Sequence, residues 1–127
     1  FDVEFPDFAR ELALEGVQVL VAPSCTEGPA GMNRIHVGAR ARALENQFYV
    51  VVSQTVGTVH YSEAIDYNTG MAAMYSTCDL GFPDDGILVQ GKVNVPQWVY
   101  GEINPKLIEN VRDNGHVFNF QRIRNLR

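Results

Sequence analysis

Apolar and polar positions recur along the chain with two different periods, and the switches between them mark out its elements. In PDFARELALEG, Phe8 and Leu12 with Ala9 and Ala13 form a stripe at helical spacing. Pro6 fits the first turn, where its missing N–H has no helical acceptor, and Gly16 fits a left-handed stop. VQVLVAP follows, β-branched and apolar at successive positions, which predicts a strand over Val17 to Ala22, buried on both faces and ended by Pro23. A loop, SCTEGPAGMN, leads into RIHVGARARALENQ, whose Ala, Leu and Arg content favours a helix over 34–47. FYVVVSQTVG then reads as a second buried strand, with Phe48 to Val52 at its centre.

Helix, strand, helix, strand with short connections is the order of a layered α/β fold. The rest breaks that rhythm. AAMYST, ILVQGKV and WVYGEI are predicted as short strands, the first two joined through the turn FPDDG, whose Asp-Gly pair signals a hairpin. Asn104 and Pro105 supply an N-cap and a first helical position for PKLIENVRDNG, a last helix closing near Gly115. No internal repeat or low-complexity run interrupts the pattern.

With 127 residues, 46% of them hydrophobic and 20% charged, the chain has a globular composition and apolar side chains enough for one core, so residues 1–127 are one domain or part of one. A formal net charge of -5 argues against a nucleic-acid partner. Arg122, Arg124 and Arg127 are confined to the end, and 118–127 reads as a solvated tail. Cys25 and Cys78 form no CxxC pair and no disulfide framework, which points to a reducing cytoplasm. No apolar run approaches the roughly 18 residues that would predict a membrane span. The chain starts at Phe1 rather than Met, so an upstream segment is expected.

Among groups able to do chemistry, Cys25 stands out because it follows a strand and precedes a helix, where backbone N–H groups favour a thiolate. Its only nearby base is His36, and the competing reading is a small, inert strand-end residue. His36, His60 and His116 are too dispersed for a metal site. The glycines lack the order that phosphate cradles need, and no cofactor is called for. Ser24, Cys25 and Thr26 sit at a strand's C-terminal end, where α/β folds place ligand contacts, and are candidates for a pocket rim.

Three blocks carry a resemblance. FDVEFP resembles the carbon-nitrogen hydrolase (nitrilase) superfamily signature C-[FY]-D-x-[ER]-F-P without its leading Cys. VQVLVAPSCTEGPAG followed by GARARALENQFYVVVSQTVG is similar to that family's strand, pocket loop, helix and next strand. LGFPDDGILVQGKV and WVYGEINPKLIENVR resemble its hairpin and closing helix. The resemblance implies the C-terminal half of an αββα four-layer sandwich. It also implies a small-molecule amide or nitrile substrate cleaved through a thioester-type intermediate. The nucleophilic Cys would stand just before Phe1, with the Glu base and Lys farther upstream, so the isolated chain is expected to be inactive. Phe1 would contribute its backbone N–H to the oxyanion hole, and Asp2 would brace that turn unless it is simply an exposed helix-entry carboxylate. Val3 and Glu4 would occupy substrate-binding positions. Glu4 would then repel a substrate carboxylate, the alternative being a structural salt bridge.

The family also implies a homodimer through the helices 6–16 and 34–47. In the latter, Arg42 but not Arg40 has the i, i+3 spacing to pair with Glu45, and a solvated charged face is the competing reading. A different class stays open: a non-catalytic α/β module that dimerises or binds a partner through the same helices.

Overall fold

The computed structural model describes residues 1–126; Arg127, the last member of the basic cluster, lies outside them. A single 3-10 turn, Asp2–Glu4, leads into α1, Pro6–Leu14, with Pro at its first turn. Gly16 stops α1 in the left-handed region at φ +96°, as its sequence position predicts. Of the α1 stripe, Ala9 and Ala13 are buried and Phe8 is exposed, because the helix lies close to its neighbour and only small side chains fit between them.

Four strands form the main sheet in the order β1-β2-β5-β6. β1 (Val19–Ser24) runs parallel to β2 (Tyr49–Gln54), while β5 (Ala73–Tyr75) and β6 (Ile87–Gln90) join antiparallel. The predicted β5-β6 hairpin is present, with Gly86 at φ +68°. A Cβ there would lie 2.7 Å from the Ser76 carbonyl oxygen, so both the backbone angle and the space require glycine.

The 18-residue α2, Pro29–Asn46, packs along one face of this sheet. Ile35, Ala39 and Ala43 meet Ala22, Val50, Val52 and Tyr75 in the core. α3 (Pro105–Asn114) begins as the sequence predicts, with the Asn104 side chain accepting from the Lys106 N–H. The buried Arg112 then secures the end of α2. Its guanidinium donates to the carbonyls of Val17, Asn46 and Gln47 at 3.1 to 3.3 Å and lies 3.8 Å over the Phe120 ring. A cation at the C-terminal end of a helix is favoured by the exposed carbonyls there.

Four expectations are corrected, and one element is new. β1 is not buried on both faces: as the edge strand, with only β2 beside it, it leaves Val21 63% exposed and carries Pro23 in its interior, which edge strands tolerate. α2 starts at Pro29 rather than Arg34, since Gly28 and Pro29 supply an N-cap and first-turn proline. WVYGEI forms no strand; it lies against the sheet, held so close that a Cβ on Gly101 would meet the Met74 sulfur at 2.6 Å. A small hairpin, β3 (Gly57–Thr58) with β4 (Tyr67–Asn68), was not predicted at all. Within 118–127, read as a tail, Asn119–Arg124 form α4, and the Phe120 N–H donates to Gln47 Oε1.

Candidate active site

The 3-10 turn is pressed directly onto α2. At Gly38 a Cβ would lie 2.8 Å from the Val3 carbonyl oxygen and 3.2 Å from the Glu4 Cα, so only glycine allows the approach. Arg42 Nη1 donates to that same carbonyl at 3.4 Å. Val3 itself is 6% exposed and belongs to the core. These contacts present Phe1 and Asp2 beside the end of β1. A groove of about 180 Å³ lies between Phe1, Asp2 and Phe8 on one side and Val21 and Ser24 on the other. The Phe1 ring is 83% exposed and rests 4.8 Å from the Phe5 ring.

Of the residues singled out by sequence, the fold thus brings Phe1, Asp2, Val3 and Ser24 to one groove. Glu4 turns away to α2, where its carboxylate meets Arg34 Nε at 3.6 Å, the salt-bridge alternative. Cys25 is exposed, and its thiol donates to Asn68 Oδ1 at 2.9 Å. Thr26 is tied across to the chain before β5: its Oγ1 donates to the Thr69 carbonyl at 2.7 Å, and the Thr69 N–H donates back to the Thr26 carbonyl at 2.7 Å. Ser24 lines the groove, and Cys25 and Thr26, just beyond it, are stitched to residues 68–69.

His36 is not placed as a base for Cys25, because both of its ring nitrogens are engaged elsewhere. Nδ1 is 2.7 Å from the Tyr75 hydroxyl and Nε2 is 2.7 Å from Gln54 Oε1. Burial pushes the His36 pKa below its ordinary value, against a smaller opposing effect of the Gln54 hydrogen bond. The predicted Arg42-Glu45 pair is present and two-pronged, at 3.0 and 3.2 Å, while Arg40 donates instead to the Asp85 carbonyl. Arg42 is nearly buried, so this helix face is not simply a solvated charged one.

These features sit where the FDVEFP turn meets a strand end, and comparisons with known proteins agree on the family of the chain. The profile described as carbon-nitrogen hydrolase matches residues 1–113. The chain belongs to the carbon-nitrogen hydrolase family. A probable hydrolase, YhcX, of Bacillus subtilis is 34% identical over 117 residues, covering 92% of this chain and 23% of that protein. The deaminated glutathione amidase of a Synechocystis species is 28% identical over 112 residues, covering 88% and 38% respectively. Among solved structures, the NitFhit protein of C. elegans superposes with a TM-score of 0.69 at 26% identity, covering 88% of this chain and 25% of that one. A carbon-nitrogen hydrolase from Helicobacter pylori superposes with a TM-score of 0.71 at 18% identity, a likeness of fold alone, over 95% and 42%. The chain thus spans less than half the length of these relatives, and its mixed α/β fold is that of the nitrilase superfamily. Among the described residues, no helix is long and apolar enough to cross a membrane.

The sequence reading of a hydrolase site did not single out Gly38, Gln54, Asn68 and Thr69. Gly38 did leave a signal, a glycine inside a helical pattern, which commonly marks a close approach. Asn68 and Thr69 left none, because their partners lie 43 positions away in the sequence.

Proposed function

We propose that this chain is the C-terminal half of a Cys-dependent carbon-nitrogen hydrolase acting on a small-molecule amide or nitrile. The observation that carries the reading is the clamped 3-10 turn, which holds the Phe1 main chain at the mouth of a groove. In the proposed reaction a cysteine thiolate immediately before Phe1 attacks the substrate carbon. The Phe1 backbone N–H and an upstream Lys stabilise the negative charge on oxygen. For an amide, the C–N bond breaks as an upstream Glu gives the nitrogen a proton, and the amine leaves. Water, deprotonated by that Glu, then cleaves the thioester to release the acid and restore the thiolate. Ser24, Cys25 and Thr26 form the rim, and Asp2 borders the groove entrance. Glu4 in this reading serves the fold through Arg34 rather than the substrate. The protein works in the cytoplasm, without cofactor.

The homodimer belongs to the same proposal. α1, α2 and α4 frame an open groove bordered by Leu14, Leu44, Ile123 and Leu126, on the side where the helices 6–16 and 34–47 would meet a second copy. The deciding experiment replaces candidate nucleophiles in the full gene product and assays a panel of simple amides and nitriles. Substituting the cysteine before Phe1 should abolish turnover while Cys25→Ser leaves it intact. The reverse result would make Cys25 the nucleophile, and a protein inert to every amide and nitrile would support the binding-module reading.

A further inference from the structure

His36 is buried in the middle of α2, where an apolar side chain would satisfy the core, yet the hydrolase reading gives it no task. It is the centre of a line of hydrogen bonds running under α2. Gln90 Nε2 on β6 donates to the Tyr75 hydroxyl on β5 at 2.9 Å, Tyr75 meets His36 Nδ1, and His36 Nε2 meets Gln54 Oε1 on β2. The Met71 N–H donates to the same Gln54 oxygen at 3.1 Å, which fixes that atom as the acceptor and leaves the proton on His36 Nε2. Nδ1 then accepts from Tyr75, whose oxygen accepts from Gln90, and every bond in the line has one donor and one acceptor.

The line ends at the rim. Gln54 Nε2 reaches Thr26 Oγ1 at 3.5 Å, and a Cβ on Gly70 would meet the Gln54 Cβ at 2.5 Å, so residues 69–71 lie directly on Gln54. Those residues in turn hold Thr26 through the paired Thr69 bonds.

We propose that His36 is a positioning residue: as a neutral Nε2–H imidazole it fixes Gln54, and through Gln54 the Thr26–Thr69 contact two residues beyond the groove-lining Ser24, and so sets the affinity of the groove for its substrate. The substrate clause rests on the hydrolase reading; the rim clause does not. Both ring nitrogens face uncharged partners, Tyr75 from β5 and Gln54 from β2. Arg40, one turn along the same helix, acts on Tyr75 through its charge. A charged ring would leave the Gln54 bond as it is and add a donor at Nδ1, so Tyr75 would have to turn its own proton away and accept from both His36 and Gln90.

The test uses the full gene product with His36→Phe, which keeps a planar ring and removes both bonds, and His36→Gln, which can restore a donor and an acceptor. The expected result for His36→Phe is a KM raised about tenfold with kcat within about twofold, the scale of a lost hydrogen bond acting on binding alone. Hydrogen exchange should accelerate at the Thr69 and Met71 amides but not along β1 and β2, and His36→Gln should recover both readouts. An unchanged KM, or exchange that accelerates uniformly over the sheet, would overturn the proposal and leave His36 an ordinary core residue. Should His36→Phe fail to fold, the ring nitrogen resonances of the unsubstituted protein decide: an Nε2–H tautomer of the neutral ring is expected, and an Nδ1–H tautomer overturns it. If the unsubstituted protein cleaves no amide or nitrile, the hydrolase reading fails, while the exchange measurement still judges the rim clause.

Discussion

Gly38→Ala puts a methyl group where the 3-10 turn now touches α2. The new Cβ would stand 2.8 Å from the Val3 carbonyl oxygen, and ordinary contact begins at 3.4 Å. The turn must therefore retreat by about 0.6 Å, the difference between those distances, since its neighbour is backbone and cannot rotate aside. The 3.4 Å bond from Arg42 to the same carbonyl is already long and would be lost. Overpacking of this kind costs about 1 to 3 kcal/mol, while alanine in a helix interior recovers about 1 kcal/mol over glycine. Net stability should fall by only about 0 to 2 kcal/mol. Function should suffer more. If the Phe1 N–H is the oxyanion donor, shifting it by about half an ångström of the ~1 Å that can cost ~100-fold should lower kcat on the order of tenfold. Thermal melts and steady-state kinetics on the full gene product separate the two effects. A folded Gly38→Ala protein with kcat within about twofold of the original would refute the reasoning that places Phe1 at the reacting carbon.

Three further outcomes follow from the packing. Arg112→Met should cost about 3 kcal/mol or more in chemical denaturation, because three carbonyls lose their buried donor and Phe120 loses its cation; a loss below about 1 kcal/mol would mean that water replaces it. Burial pushes the Asp79 carboxyl up, but the N–H groups of His116, Leu80 and Val117 outweigh it and hold its pKa below the ordinary value. A group depressed in the folded state stabilises above its unfolded pKa of about 3.9 and loses that contribution as pH falls through the lower folded value, so Asp79→Asn should flatten stability against pH below about 4. The chain expressed alone should bind ANS and lack a cooperative melt, since Val21 and Trp98 are 63% and 85% exposed on and beside the sheet face away from α2; a monodisperse, cooperatively melting fragment would contradict this.

What the sequence disclosed depended on how local each cause was. Helix ends were legible where a single side chain or backbone angle sets them: Pro6 and Gly16 on α1, Asn104 and Gly115 on α3. The end of α2 was legible only as a change of pattern. Gln47 takes the left-handed stop at φ 47° because its amide is held by Val117 and Phe120, partners some seventy positions away. β1 was misjudged because an apolar run reports that both faces want cover, and the described chain covers one. The segment 98–103 has strand-forming residues without strand partners, since its backbone lies against Met74 instead of beside another strand. Similarly, the FDVEFP motif identified the turn that lines the groove. The stitching of Cys25 and Thr26 to Asn68 and Thr69 depends on contacts between distant segments, which no local pattern encodes.

The central claim is a covalent intermediate on the residue that precedes Phe1, formed beside a fixed Phe1 N–H. Intact-protein and peptide mass spectrometry of the full gene product, acid-quenched during turnover of a slow amide, tests it most directly. The account predicts one acyl group per chain, carried by a cysteine immediately before Phe1 and absent when that cysteine is replaced by alanine. An acyl group on Cys25, or turnover of the amide with no modified cysteine at all, would contradict it.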